Sequence, residues 1–161
     1  MKLLILNGPN LNLLGTREPD IYGRASYDDL CKLISQHAAA LGCEAEVLQS
    51  NHEGALIDAI QAAQGVYGGI VINPGAYAHY SYAIYDALRA VDVPAVEVHL
   101  TDITAREPFR AVSVTAAACV KTICGHGMQG YTEAMDYLKA NAPERGEKKA
   151  PLAGCVGALI V

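Results

Sequence analysis

The chain has 161 residues, 18% of them charged, with a net charge of −5 at pH 7 and an isoelectric point near 5.4. That length suits one domain whose core needs no disulfide or metal staple. The acidic balance argues against nucleic acid or an anionic membrane as partner, because phosphate binding needs a basic face; local arginines can still hold a small anion.

From the N-terminus, Lys2 to Asn7 reads as a strand, and NGPNLNLLGTREPDIYG (7–23) as a long polar loop punctuated by Gly and Pro. Connections of that length in a compact domain are usually functional or disordered. Ser26, with Asp28 and Asp29 just inside, starts a helix running to about Leu41 and closed by Gly42. Glu44 to Gln49 is the second strand, and SNHEG (50–54) opens a helix to about Gln64, with Gly65 after it. The apolar run Ile70–Val71–Ile72 ends at Asn73, where Pro74 blocks further ladder pairing and Gly75 permits a sharp turn. Ser81 can cap the next helix, to about Ala90, whose apolar positions Ala83, Ile84, Ala87 and Leu88 fall at helical spacing. This stretch groups an amide (Asn73), an imidazole (His79) and a carboxylate (Asp86) near one edge. A strand over 95–99 follows Pro94, then the loop LTDITAREPFR, a strand over 118–124 and a helix from about Gln129 to Ala140.

Five strands alternating with helices make a parallel sheet the default, and a three-layer α/β architecture of flavodoxin-like type fits best, with helices on both faces and strand order 2-1-3-4-5. That order reverses between the first and third strands, and ligands bind outside the carboxyl ends of such strands. Those ends carry NGPN and NPGAY, and the fourth strand adds Glu97 and His99 beside them. The domain is expected over 1–142, followed by a C-terminal extension, 143–161, whose conformation the sequence leaves open.

The five cysteines show no CxxC pair or His/Cys zinc spacing, and read as buried free thiols of a reducing compartment. The apolar start stops at Asn7, and no stretch approaches the roughly 20 apolar residues of a membrane span, so a cytoplasmic protein without a membrane partner is expected. A charged fraction below the roughly 25% of ordinary soluble domains points to surface buried against copies of the chain. Gly125-His-Gly127-Met-Gln-Gly130 matches GxGxxG after a strand, but no later strand carries an acidic residue to a ribose. Close packing of the last helix explains those glycines better than a nucleotide does. Taken singly, each candidate has a plain reading: NGPN and NPG as turns, His99 as a hydrogen-bonded core residue, Arg106 and Arg110 as a ladder on Glu107, His52-Glu53 as a helix start.

Jointly, the candidates supply what proton abstraction beside a carbonyl needs: a base, a donor to the enolate and an acid for a leaving hydroxyl. Tyr22 serves as base only if its phenol, near 10 in water, falls toward neutrality; a shift of about two units corresponds to roughly 2.7 kcal/mol, within reach of a guanidinium such as Arg17, five residues earlier. Asn73 can donate to negative charge, His99 can supply a proton, and Arg110 can grip a carboxylate in a fork.

NGPNLNLLGTREPDIYG, QSNHEG, INPGAYAHYS, EVHLTDITAREPFR and ICGHGMQGY together resemble type II 3-dehydroquinate dehydratase, over about the first 140 residues. The resemblance implies reversible anti elimination of water from 3-dehydroquinate, through an enolate, to 3-dehydroshikimate. It implies no metal or organic cofactor, and trimers assembled into a dodecamer. By matching motif, Tyr22 is the base, Arg17 its activator within a mobile lid, and His99 the acid, oriented by Glu97. Asn73, with Asn10 nearby, holds the substrate and, through water, the enolate. His79, Arg110 and the backbone of Leu100 and Thr101 bind hydroxyls and carboxylate, and Asp86 reaches in from an adjacent subunit. Three positions depart from the family pattern: Ala111 and Val112 stand where two histidines usually follow EPFR, and Tyr85 where an arginine is common. None of the six lysines lies in these motifs, which disfavours the Schiff-base route of the unrelated enzyme class. The pathway expected is aromatic amino acid biosynthesis. The alternatives are the same reaction in quinate breakdown and a non-catalytic flavodoxin-like nucleotide-binding module.

Overall fold

Alternation of apolar side chains along β1 (Lys2–Asn7) sends Leu3 and Ile5 to one face of a sheet and Leu4 and Leu6 to the other, all of them buried. The computed structural model describes residues 1–16 and 25–141. Within them β1, β2 (Glu44–Gln49), β3 (Gly69–Asn73), β4 (Ala95–His99) and β5 (Lys121–Cys124) form one sheet in the order 2-1-3-4-5. All pairs are parallel, with Asn7 in register with both Gln49 and Asn73. Helices α1 (Tyr27–Ala40) and α4 (Gln129–Ala140) cover the face that carries Ile5, Val71 and Val98; α2 (Glu53–Ala62) and α3 (Tyr82–Ala90) cover the face that carries Leu6, Ile70 and Ile72. The three-layer flavodoxin-like arrangement is therefore the observed one.

Local chemistry starts and stops these elements largely as expected. Ser26 caps α1 in a reciprocal capping box with Asp29, whose carboxyl is held below its usual range first by the Ser26 backbone amide and then by its hydroxyl. Ser81 accepts from Ile84 N at 2.9 Å at the start of α3. Gly130 packs α4 onto the sheet: a Cβ there would stand 3.1 Å from Val98 and 3.4 Å from Ile123. The packing reading of the glycine motif holds at Gly130, whereas Gly125 and Gly127 serve the turn before α4, with φ of 80° and 56°.

One boundary differs from the sequence reading. The strand expected from residue 118 begins only at Lys121, because Thr115–Ala118 wind into a short 3₁₀ turn anchored by Thr115 on the buried Glu97. Alanines and a cysteine carry no periodic signal that separates turn from strand. The 143–161 extension lies outside the described residues. Among those described, Cys31, Cys43, Cys119 and Cys124 are free thiols, and no helix is long and apolar enough to cross a membrane.

Candidate active site

The sheet's carboxyl edge is organised by two interlocked turns. Gly8 N donates to Asn73 O at 2.8 Å, so the turn after β1 lies directly on the turn after β3. A Cβ on Gly8 would meet Pro74 O at 2.5 Å, a contact that only glycine avoids. Asn10 follows in the left-handed region (φ 67°), its backbone N–H donating to Asn51 Oδ1 at 3.0 Å. The turn is braced from β2, where Gln49 Nε2 donates both to Gly8 O and to Asn51 Oδ1.

Asn73 is 4% exposed, and its amide is oriented from both ends. Its Oδ1 accepts from Gly75 N at 3.2 Å, and its Nδ2 donates to the Tyr131 hydroxyl at 3.0 Å. Tyr131, fully buried on α4, donates in turn to Asn7 Oδ1 at 2.6 Å, and Asn7 Nδ2 donates to the Tyr27 hydroxyl at 3.3 Å. Burial pushes the Tyr131 phenol well above its ordinary range and Tyr27 up to about 12, so this chain of groups is neutral. The second Nδ2 hydrogen of Asn73 is what the residue can offer to developing negative charge in the cleft.

The end of β4 is charged instead. Glu97 is 0% and His99 5% exposed, and His99 Nε2 donates to Glu97 Oε1 at 2.7 Å. Glu97 also accepts the hydroxyls of Ser113, on Oε1 at 2.6 Å, and of Thr115, on Oε2. A carboxylate removed from water requires such donors. Nε2 being engaged, Nδ1 is the ring nitrogen that opens on the cleft.

Asn73 and His99 face a cleft of about 100 Å³, lined also by Asn10, Ala76, His79, Leu100, Thr101, Ile103, Arg106 and Arg110. His79 Nδ1 donates to Val112 O at 2.9 Å, which sets the ring in place. Arg110 Nε donates to Glu107 Oε2 at 2.9 Å, and Arg106 Nε lies 3.6 Å from the same oxygen. Both arginines are largely covered, at 19% and 15% side-chain exposure. Glu107's own backbone amide, and then Arg110, hold its carboxyl below the usual range. The salt-bridge ladder is therefore present, and it also presents two guanidiniums to the cleft. Among the described residues, no group of three or more His, Cys, Asp or Glu side chains could hold a metal ion.

Of the residues singled out in the sequence, Asn73, His79, His99, Leu100, Thr101 and Arg110 meet in this cleft, with Asn10. Tyr22 and Arg17, and the lid reading attached to them, lie outside the described residues. Asp86, grouped with Asn73 and His79 by the sequence reading, sits on the helix that follows β3. It is exposed on α3, a turn beyond Tyr82, and does not line the cleft of its own chain. Sequence reasoning missed Tyr131, Asn7, Ser113 and Thr115 as supporting groups and Arg106 as a lining one. A polar atom inside an apolar pattern was the available signal for Tyr131, but its partner Asn7 is 124 positions away.

The family model described as Dehydroquinase class II matches residues 1–139. The 3-dehydroquinate dehydratase of Clostridium acetobutylicum is 53% identical over 139 residues, covering 86% of this chain and 96% of that protein. The catabolic 3-dehydroquinase of Aspergillus oryzae is 51% identical over 148 residues, 92% of this chain and 97% of that protein. Among solved structures, the type II dehydroquinase of Butyrivibrio crossotus superposes with a TM-score of 0.85 at 51% identity, covering 86% of this chain and 97% of that one.

Proposed function

The chain belongs to the class II dehydroquinases, as a 3-dehydroquinate dehydratase and hence a lyase, and from that premise we propose how its residues carry the reaction. Tyr22, made acidic by Arg17, removes a proton from the carbon beside the ketone of 3-dehydroquinate. The enolate that forms is held by Asn73 through a water. His99 acts as the imidazolium: Nε2–H stays on Glu97, the Nδ1 proton passes to the departing hydroxyl, and water leaves anti to the abstracted proton to give 3-dehydroshikimate and the neutral Nε2–H ring. Arg110 grips the substrate carboxylate, while His79 and the backbone of Leu100 and Thr101 take its hydroxyls.

The observation that supports this reading best is the His99–Glu97 pair: a buried imidazole held by a buried carboxylate at 2.7 Å, on one cleft with Asn73, His79 and Arg110. Such a constellation provides a proton donor, an amide for developing charge and a cation for a carboxylate.

Asp86 acts on the site of a neighbouring copy, within trimers that assemble into a dodecamer. Its exposure on α3, with Tyr82 at 70% exposure on the same helix, supports that placement. Sedimentation giving a clean monomer with full activity overturns it. The pathway served is aromatic amino acid biosynthesis, and disruption of the gene should then impose an aromatic requirement. Growth failing only on quinate would assign the reaction to breakdown instead.

Mixing purified protein with 3-dehydroquinate should raise the near-ultraviolet absorbance of a conjugated enone without added metal or cofactor. Tyr22→Phe should lose nearly all turnover while still binding substrate. A Tyr22→Phe enzyme that keeps most of its turnover removes the tyrosine from its role.

A further inference from the structure

The structure assigns a role to Ser113 and Thr115: we propose that they are positioning residues, whose hydroxyls hold the Glu97 carboxylate so that His99 keeps its Nε2 proton throughout and exchanges a proton with the substrate only at Nδ1. This deepens the reading of His99 as the acid and rests on it.

The argument starts from the isolation of Glu97. Its side chain is fully buried, and its described donors are His99 Nε2, the Ser113 hydroxyl and the Thr115 hydroxyl. Thr115 is also 0% exposed. Ser113 Oγ accepts from Ala116 N at 3.2 Å, which turns its hydrogen toward the carboxylate at 2.6 Å; the alternative acceptors, Thr115 Oγ1 at 3.3 Å and Ala78 O at 3.4 Å, are farther. With both hydroxyls donating, the carboxylate is satisfied as an anion, and the proton between it and the imidazole belongs on Nε2. Remove the hydroxyls, and the bare anion competes for that proton or turns its oxygens, so the ring loses its single orientation. The other titratable groups acting on this carboxylate from neighbouring elements are Cys119 and Cys124, with Asp102 beside Cys124. Burial raises both thiols, so they add no charge at neutral pH.

Ser113 and Thr115 stand two apart on one strap. Val114 N donates to Ala78 O at 2.7 Å, and Val112 O receives the His79 ring. One short segment therefore fixes both imidazoles of the cleft, which places it under functional as well as packing constraint.

The test uses full-length Thr115→Val, Ser113→Ala and the double variant, with Thr115→Ser as the conservative replacement. We expect kcat to fall about tenfold in each single variant, with KM changing within about twofold, and Thr115→Ser to keep most of the wild-type rate. Histidine ¹⁵N spectra of the neutral ring, with the His99 signals identified by their loss in His99→Asn, should show the single Nε2–H tautomer that remains after proton transfer in the wild type and a mixture in the double variant. Should Thr115→Val fail to fold, Ser113→Ala, at a half-buried site, carries the same readouts. Wild-type kcat in folded variants, or a fall in kcat with the tautomer unchanged, overturns the inference while leaving His99 as the acid. A fully active His99→Asn enzyme overturns the reading beneath it.

Discussion

Two buried polar clusters close the carboxyl edge of this sheet, and they are built on opposite principles. Under β1 and β3 the cluster is neutral: Tyr27, Asn7, Tyr131 and Asn73 pass hydrogen bonds from one to the next. Under β4 it is charged: a buried carboxylate takes an imidazole and two hydroxyls. Burial keeps both phenols of the neutral cluster above their ordinary range, so nothing in it titrates near neutrality, and it can hold an amide in one orientation at any working pH. The charged cluster contains the side chain suited to giving up a proton. The difference teaches that the proposed mechanism divides orientation and proton transfer between separate clusters facing one cleft.

The sharpest way to break that division is His99→Asn, which should lower kcat by about 10²–10⁴-fold with little change in the thermal melt, read from enone absorbance. Turnover within twofold of wild type would take proton transfer away from β4. Next in size, Glu97→Ala leaves His99, Ser113 and Thr115 without their acceptor and should cost about 3 kcal/mol in urea denaturation. A loss under about 1 kcal/mol would mean the carboxylate is not the centre of its cluster.

Tyr131→Phe probes the neutral side. It strands Asn7 Oδ1 and Asn73 Nδ2 and should cost about 1–2 kcal/mol at pH 7. Here the sign in pH is definite. The folded phenol ionises only well above its ordinary value near 10, so its contribution is full below pH 10 and is lost as pH rises beyond it, when the unfolded chain ionises first. The variant should therefore lose less stability between pH 9 and pH 11 than the wild type, and equal slopes would contradict the buried neutral phenol. Smallest, Ser26→Ala removes the cap of α1, touching no hydrogen bond of either cluster although Tyr27 is its chain neighbour, and should cost about 1 kcal/mol in the same denaturation.

Much of this was legible residue by residue. Asn73 was readable as a strand tip because Pro74 and Gly75 end the apolar run, and His99 because it closes another such run with Glu97 two positions before it on the same face. The start of β5 was not, since Ala116–Ala118 and Cys119 carry no periodicity, and a hydroxyl of Thr115 reaching Glu97 decides that the chain turns there. Asp86 was readable only as a neighbour of His79 in sequence; that it is exposed on α3 and does not line the cleft of its own chain needed the structure.

The sequence by itself determined the alternation of elements, the points where strands stop and the chemical kinds gathered at those points. These depend on local matters: side-chain period, caps, and the backbone freedom of Pro and Gly. Which hydrogen bonds orient Asn73 and His99 was decided only by the tertiary structure. Tyr131 must cross from the last helix to the first strand, and Ser113 and Thr115 must fold back over β4. Such contacts exist only when burial makes an unpaired polar atom more costly than the chain order needed to pair it.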